Sequence, residues 1–126
     1  MLCRQDGAVL LASRPQGKPY EGYWEFPGGK VEPHETTDQA LIRELREELN
    51  IDVQESKFAW QLEHDYAHAH VCLHFFWVTG WHGQLRTMED QQALWVHPQD
   101  AWPYPILPAT VPLLAEIRTQ RLQSVN

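Results

Sequence analysis

The chain has 126 residues, 43% of them hydrophobic, which is enough for one packed core and too few for two. Its formal net charge of −7, from 17 acidic and 10 basic residues, argues against a nonspecific nucleic-acid surface, which needs clustered Lys and Arg to displace counterions from phosphates. No apolar run approaches the ~20 residues of a membrane span, no basic leader or Arg-rich transit segment opens the sequence, and Cys3 and Cys72 have neither a CxxC nor a zinc-type spacing. These features predict one soluble, cytoplasmic domain over residues 1–126, a monomer or homodimer with reduced, inert cysteines. It should meet neither a membrane nor a nucleic-acid polymer, and a polyphosphate substrate would need a metal to bridge it to so acidic a chain.

In chain order, Met1-Leu2-Cys3-Arg4 gives the first strand almost no lead-in, so a trimmed or late-assigned start is expected, or a module cut from a larger protein. Gly7 to Arg14 reads as that strand, and the Pro, Gly and Lys residues up to Gly22 as a loop. Trp24-Glu25-Phe26 is a short strand stopped by Pro27-Gly28-Gly29. Thr36 or Thr37 caps a helix running to about Leu49, with Leu41, Leu45 and Leu49 as its buried stripe. Asn50 follows, where the chain should leave the helix through a left-handed residue, and Asn is the commonest stand-in for Gly there. Further strands are predicted within Lys57 to Glu63 and Val71 to Thr79, turned by Trp81-His82-Gly83, and around Ala93 to His97, where Pro98 breaks the run. After the Pro-rich stretch Pro103 to Pro112, Leu113, Leu114, Ile117 and Leu122 predict an amphipathic last helix. Strands and two helices in this order give an α+β class with helices on a mixed sheet.

Glu44, Glu47 and Glu48 stand at i, i+3 and i+4, so a helix puts all three carboxylates on one face beside the leucine stripe. Like charges at this spacing repel, by more where burial strips water from them, and a divalent cation reverses that cost. Mg²⁺ prefers carboxylate oxygens and then collects phosphate oxygens, so the cluster suits phosphate chemistry better than Zn²⁺ chemistry. Spacing alone leaves a second reading open, a solvated and salt-bridged helix face, since Arg43 and Glu47 also form an i, i+4 pair.

The wider string runs Gly29, five residues, Glu35, seven residues, then Arg43-Glu44-Leu45-Arg46-Glu47-Glu48-Leu49-Asn50-Ile51. It resembles the Nudix box and departs from it at one defined position, with Asn50 where the box has Gly. A multi-position match of this kind is far more specific than a lone Gly-rich motif. Trp24 to Lys30 and Pro108 to Pro112 extend the resemblance to the MutT-like branch of nucleotide pyrophosphohydrolases. The resemblance implies the Nudix α/β/α sandwich with a mixed β-sheet, and Mg²⁺-dependent hydrolysis of a small-molecule nucleoside triphosphate to the monophosphate and pyrophosphate, with Mn²⁺ as a substitute metal.

Carried over position by position, Glu44, Glu47 and Glu48 would bind the catalytic metals, joined by the backbone carbonyl of Gly28. Glu89, in Arg86-Thr87-Met88-Glu89-Asp90, would add a metal ligand or general base from a later loop, ahead of Asp90. Glu35 and Arg43 would orient the glutamates, a role with a known physical rationale. Lys30 and Arg14 are the cations placed by sequence to meet phosphates, with ordinary surface charge as the alternative. Phe26, Leu73 and Phe75 are either walls of a base pocket or plain core.

The branch member that cleanses 8-oxo-dGTP reads the purine with an Asn near the start of the last helix, and Thr110 falls at that position here. A hydroxyl does not reproduce the two-sided donor and acceptor pattern of an amide. An arginine expected between the central strands is also missing, with Ala69 or His70 in that region. The tail Tyr104 to Ala109 resembles branch members that hydrolyse CTP and modified pyrimidine nucleotides. An 8-oxo-dGTP diphosphatase acting in nucleotide-pool cleansing is therefore the leading expectation, and a CTP-type pyrophosphohydrolase the alternative. A Nudix-fold sensor that has lost catalysis would show damaged metal ligands, whereas Arg43, Glu44, Glu47 and Glu48 are all present. His64, His68, His70 and His74 raise a transition-metal site as a minor alternative to polar strand lining.

Overall fold

The computed structural model describes residues 1–67, 69–100 and 105–124. His68, Pro103 and Tyr104 lie outside the described residues, as does the side chain of Leu122.

The core is organised by the two-residue period of β1 (Val9–Ser13), five residues of which four are buried. Val9 and Leu11 point into one apolar cluster with Trp24, Phe26 and the Leu113, Leu114 and Ile117 stripe of α2 (Val111–Ser124). Leu10 points the other way, into a cluster with Leu2, Ile51, Val78 and the Leu45 and Leu49 stripe of α1 (Thr37–Leu49). One strand therefore separates two helix-backed layers, the α/β/α sandwich that the resemblance implies.

β2 (Trp24–Glu25) and β5 (Ala93–Val96) flank β1 on opposite edges, both antiparallel to it. β3 (Asp52–Asp65) and β4 (His70–His82) form a long antiparallel hairpin. Residues 1–3 join the two sheets through a parallel bridge Leu2↔Val78 and an antiparallel bridge Cys3↔Val9. The parallel element of the mixed sheet thus consists of single bridges, this one and Trp24↔Ile106, while every ladder between named strands is antiparallel.

The helix boundaries follow the sequence closely. Thr36 caps α1 by accepting from the Gln39 N–H at 3.1 Å, and the Gln39 side chain accepts from the Thr36 N–H at 2.9 Å. Asn50 ends the helix in the left-handed conformation, φ 60° and ψ 35°. Pro112 stands in the first turn of α2, where a missing N–H costs nothing. The hairpin is longer than its sequence signal. β3 begins at Asp52 and β4 continues through Trp81 and His82, so these two, expected in a turn, are strand, and the chain bends only after them, at Gly83. Irregularities in register around Val53, Glu55 and Ser56 and between Phe58 and Trp60 let the polar stretch pair although its alternation is broken. Gly83 is required there: its φ is +101°, and a Cβ would stand 2.8 Å from the Asn50 carbonyl oxygen.

Candidate active site

The second half of α1 presents the carboxylates. Leu45 and Leu49 are fully buried against the sheet, which turns the intervening arc, carrying Glu44 and Glu48, toward the β2–α1 loop. Glu48 Oε2 accepts a hydrogen bond from the Gly28 N–H at 3.0 Å. Glu44 lies against Gly29 so closely that a Cβ on that glycine would stand 2.2 Å from the Glu44 carboxyl carbon. Glu47 is the exposed member of the three.

Arg43 ties the loop to the helix. Its Nε and Nη2 donate to the two oxygens of Glu35 (2.7 and 2.9 Å), Nη2 also donates to the Lys30 carbonyl (2.8 Å), and Nη1 donates to Glu44 (2.7 Å) and, at 3.4 Å, to Glu47. The guanidinium holds the Glu35 carboxyl down to about 2, with the Glu32 N–H adding to the effect. Arg43 and Glu35 thus form a fixed bracket beside Glu44.

Glu89 arrives from another part of the chain. The residues after β4 dock on the end of α1: the Arg86 N–H donates to the Leu49 carbonyl (3.0 Å) and the Met88 N–H to the Glu48 carbonyl (2.8 Å). Those carbonyls belong to the last turn, which has no partners of its own inside the helix. The far end of the loop is clamped to β1, where Ser13 N–H donates to the Gln92 carbonyl and Ser13 Oγ accepts from the Gln92 N–H, both at 2.9 Å. Glu89 then lines a small polar depression with Glu48, Gly28, Glu25 and Arg14.

This depression is rich in negative charge. Burial pushes the Glu48 carboxyl up to about 8; the charges of Glu44, Glu89 and Glu25 push the same way, and the Gly28 N–H opposes them. Burial also raises the Glu25 carboxyl, partly offset by Arg14, whose Nη1 meets it at 2.9 Å. Among the described residues no three His, Cys, Asp or Glu side chains converge as a ready-made metal-ligand set. The donor set nonetheless fits a hard divalent cation: it is all carboxylate oxygen, and ionisation of Glu48, disfavoured by its surroundings, would be favoured by a cation beside it.

The remaining residues singled out by sequence divide. Arg14 is engaged by Glu25 and by the Pro19 carbonyl (2.8 Å), so it serves the depression's wall as well as facing it. Lys30 is exposed, and its backbone carbonyl is bound by Arg43. Phe26 is 7% exposed within the core beside Leu113 and Leu114, and Leu73 sits opposite Leu62, which packs against the same core cluster. Thr110 is the one buried polar residue among those described and starts α2, its carbonyl accepting from the Leu114 N–H at 3.0 Å. The neighbouring Ala109 N–H donates to the Tyr66 hydroxyl at the hairpin tip (3.2 Å). Among the described residues the histidines build no metal centre; His70 instead pairs with Asp65.

Among the residues that line the depression, Lys18, Glu25 and Gln91 escaped the sequence reading. Glu25 alternates with the buried Trp24 and Phe26, so a lone acid inside an aromatic strand was a usable signal. Gln91, whose buried Oε1 has no hydrogen-bond partner in the protein, gave none.

A bracketed carboxylate cluster on the helix after a Gly-Gly turn, inside an α/β/α sandwich, defines a class. The NUDIX domain model matches residues 1–117, and the chain belongs to the Nudix hydrolase family. It is 42% identical over 113 residues to the CTP pyrophosphohydrolase of Escherichia coli strain K12, covering 90% of this chain and 84% of that protein. It is 44% identical over 85 residues to the 8-oxo-dGTP diphosphatase of Proteus vulgaris, covering 68% and 76%. The crystal structure of the MutT Nudix hydrolase from Burkholderia pseudomallei superposes with a TM-score of 0.79 at 30% identity, covering 90% of this chain and 93% of that one. Nudix hydrolases generally need a divalent metal and act on small nucleotide substrates.

Proposed function

We propose that this protein is a Mg²⁺-dependent nucleoside triphosphate pyrophosphohydrolase, a single Nudix unit over residues 1–126 that releases pyrophosphate and a nucleoside monophosphate in the cytoplasm. The observation that carries it is geometric: Glu48 accepts from the Gly28 N–H and lines one depression with Glu25 and Glu89, while Glu44 lies against Gly29, an all-carboxylate setting that a divalent cation would suit. Glu44, Glu47, Glu48 and Glu89 would hold the metal, with Mn²⁺ as a substitute and the Gly28 carbonyl as a further oxygen ligand. When bound, the metal supplies charge neutralisation at the phosphate oxygens and a more acidic water. Glu89, brought in on its own loop, is the carboxylate assigned to take the proton of the attacking water. Arg43 and Glu35 hold Glu44 in place, and Lys30, which is exposed, is left to meet the phosphates as they enter.

The substrate reading is an oxidised purine triphosphate of the 8-oxo-dGTP type, in keeping with the relatives that carry this activity in their names. A specific observation favours a second reading, CTP or a modified pyrimidine nucleotide: Thr110 is buried where an amide would be wanted to read the purine, and one relative is named for CTP. One experiment separates them. Turnover of 8-oxo-dGTP, dGTP, CTP and 5-methyl-dCTP is compared by kcat/KM with Mg²⁺, following pyrophosphate release. A preference for 8-oxo-dGTP supports the first reading, a pyrimidine preference the second, and no turnover of any of the four overturns both.

A further inference from the structure

Asn50 departs from the Nudix box, and its side chain does something a glycine there could not do. The residue ends α1 in the left-handed conformation, with its N–H donating to the Arg46 carbonyl at 3.1 Å, which a glycine would do equally well. Its Nδ2, however, donates to the Gln84 carbonyl at 3.2 Å. That bond is the first of three that run in sequence from the end of the helix to the loop, the others being Arg86 N–H to Leu49 and Met88 N–H to Glu48. All three precede Glu89 by five residues or fewer, and the close approach of Gly83 to the Asn50 carbonyl seats the start of the same loop.

We propose that Asn50 is a positioning residue that locks the loop carrying Glu89 onto the end of α1, so that Glu89 is held beside Glu48. The proposal deepens the reading above and rests on it only for the role of Glu89. The physical basis is local. Residues 84–88 make no strand ladder, so their placement depends on Leu85, which packs against the cluster of Leu45 and Leu49, and on a few hydrogen bonds to the end of the helix; loss of one such bond loosens its neighbours. A carboxylate displaced by about 1 Å from its working geometry loses much of its catalytic effect.

The test is Asn50→Gly, which restores the box residue and suits the left-handed backbone while removing the Nδ2 donor, with Asn50→Asp as a second variant that keeps the side-chain size but has no donor. Amide hydrogen exchange at Arg86 and Met88 should quicken about tenfold in both variants, while the α1 amides of Leu45 and Leu49 keep their protection. Unchanged exchange at Arg86 and Met88 overturns the proposal. For activity, Asn50→Gly should lower kcat several-fold with little change in KM, and should add nothing in a Glu89→Gln background. Additive losses in the double variant would show that Asn50 does not act through Glu89 and sink the proposal. Full activity of Glu89→Gln alone counts against the role given to Glu89, and the exchange measurement then decides whether Asn50 holds the loop.

Discussion

The Glu44 carboxylate occupies the space in which Gly29 would carry a side chain, with its carboxyl oxygens 2.3 and 2.5 Å from an ideal Cβ position. The first residue of the box is thus a steric permission for Glu44. Gly29→Ala should fold, because the loop is exposed and Glu44 has room to swing outward, but it should pull Glu44 from Arg43 and lower kcat by about 10- to 100-fold. Steady-state kinetics with Mg²⁺ on the preferred nucleotide checks this, and near-normal turnover would mean that Glu44 need not lie where the structure has it.

Removing a carboxylate tests the cluster itself. Glu48→Gln keeps an oxygen for the Gly28 N–H and abolishes the charge, so turnover should fall by at least about 100-fold without loss of fold. Glu47→Gln should also be impaired although Glu47 is exposed, since its role is assigned to the metal and not to packing. Wild-type Mg²⁺-dependent rates in either variant would remove that residue from the ligand set.

The same carboxyl dictates a pH dependence of stability. An unfolded glutamate titrates near 4.5, while Glu48 in the fold is pushed up to about 8. Between those values the native state binds more protons than the unfolded chain, so stability falls as pH rises through the window and levels off above it. Thermal unfolding in EDTA should show this contribution from pH 5 to pH 8, and Glu48→Gln should flatten it. Added Mg²⁺ should raise Tm more at pH 8 than at pH 6, because it binds the ionised form. A Tm increment from Mg²⁺ that does not grow with pH would contradict the assignment.

Arg14 and Glu25 form a half-buried pair in the wall of the depression. Arg14→Met leaves Glu25 without its main partner and should cost about 1–3 kcal/mol, seen as a Tm lowered by several degrees. Arg14→Met combined with Glu25→Met should recover much of that loss, since the stranded charge is gone. A double variant no better than the single one would show that Arg14 is held chiefly through the Pro19 carbonyl.

Thr110 offers the test of base selection. Thr110→Asn places an amide at the buried start of α2 and should raise the ratio of purine to pyrimidine kcat/KM several-fold. An unchanged ratio would mean that Thr110 does not face the base.

Most of the secondary structure and the heart of the site were legible in the sequence because both are local. The leucine stripe and the three glutamates of α1 share one helical period, so forming the helix sorts them onto adjacent arcs, and the Thr36–Gln39 cap and the Asn50 stop are set by residues within one turn of the ends. Contacts between residues distant in sequence supply what local patterns do not carry. The hairpin reaches Asp52 and His82 through irregular pairing that no alternation announces. Phe26 packs in one cluster with Leu113 and Leu114 of α2, a neighbourhood nearly ninety residues away in sequence. Glu89 comes to line the same depression as Glu48 because the helix end has carbonyls in need of partners and the loop after β4 has amides to supply them. Local sequence sets which groups are available for chemistry; bringing them to one depression depends on hydrogen bonds and packing between segments some forty residues apart, which exist only once the chain has folded.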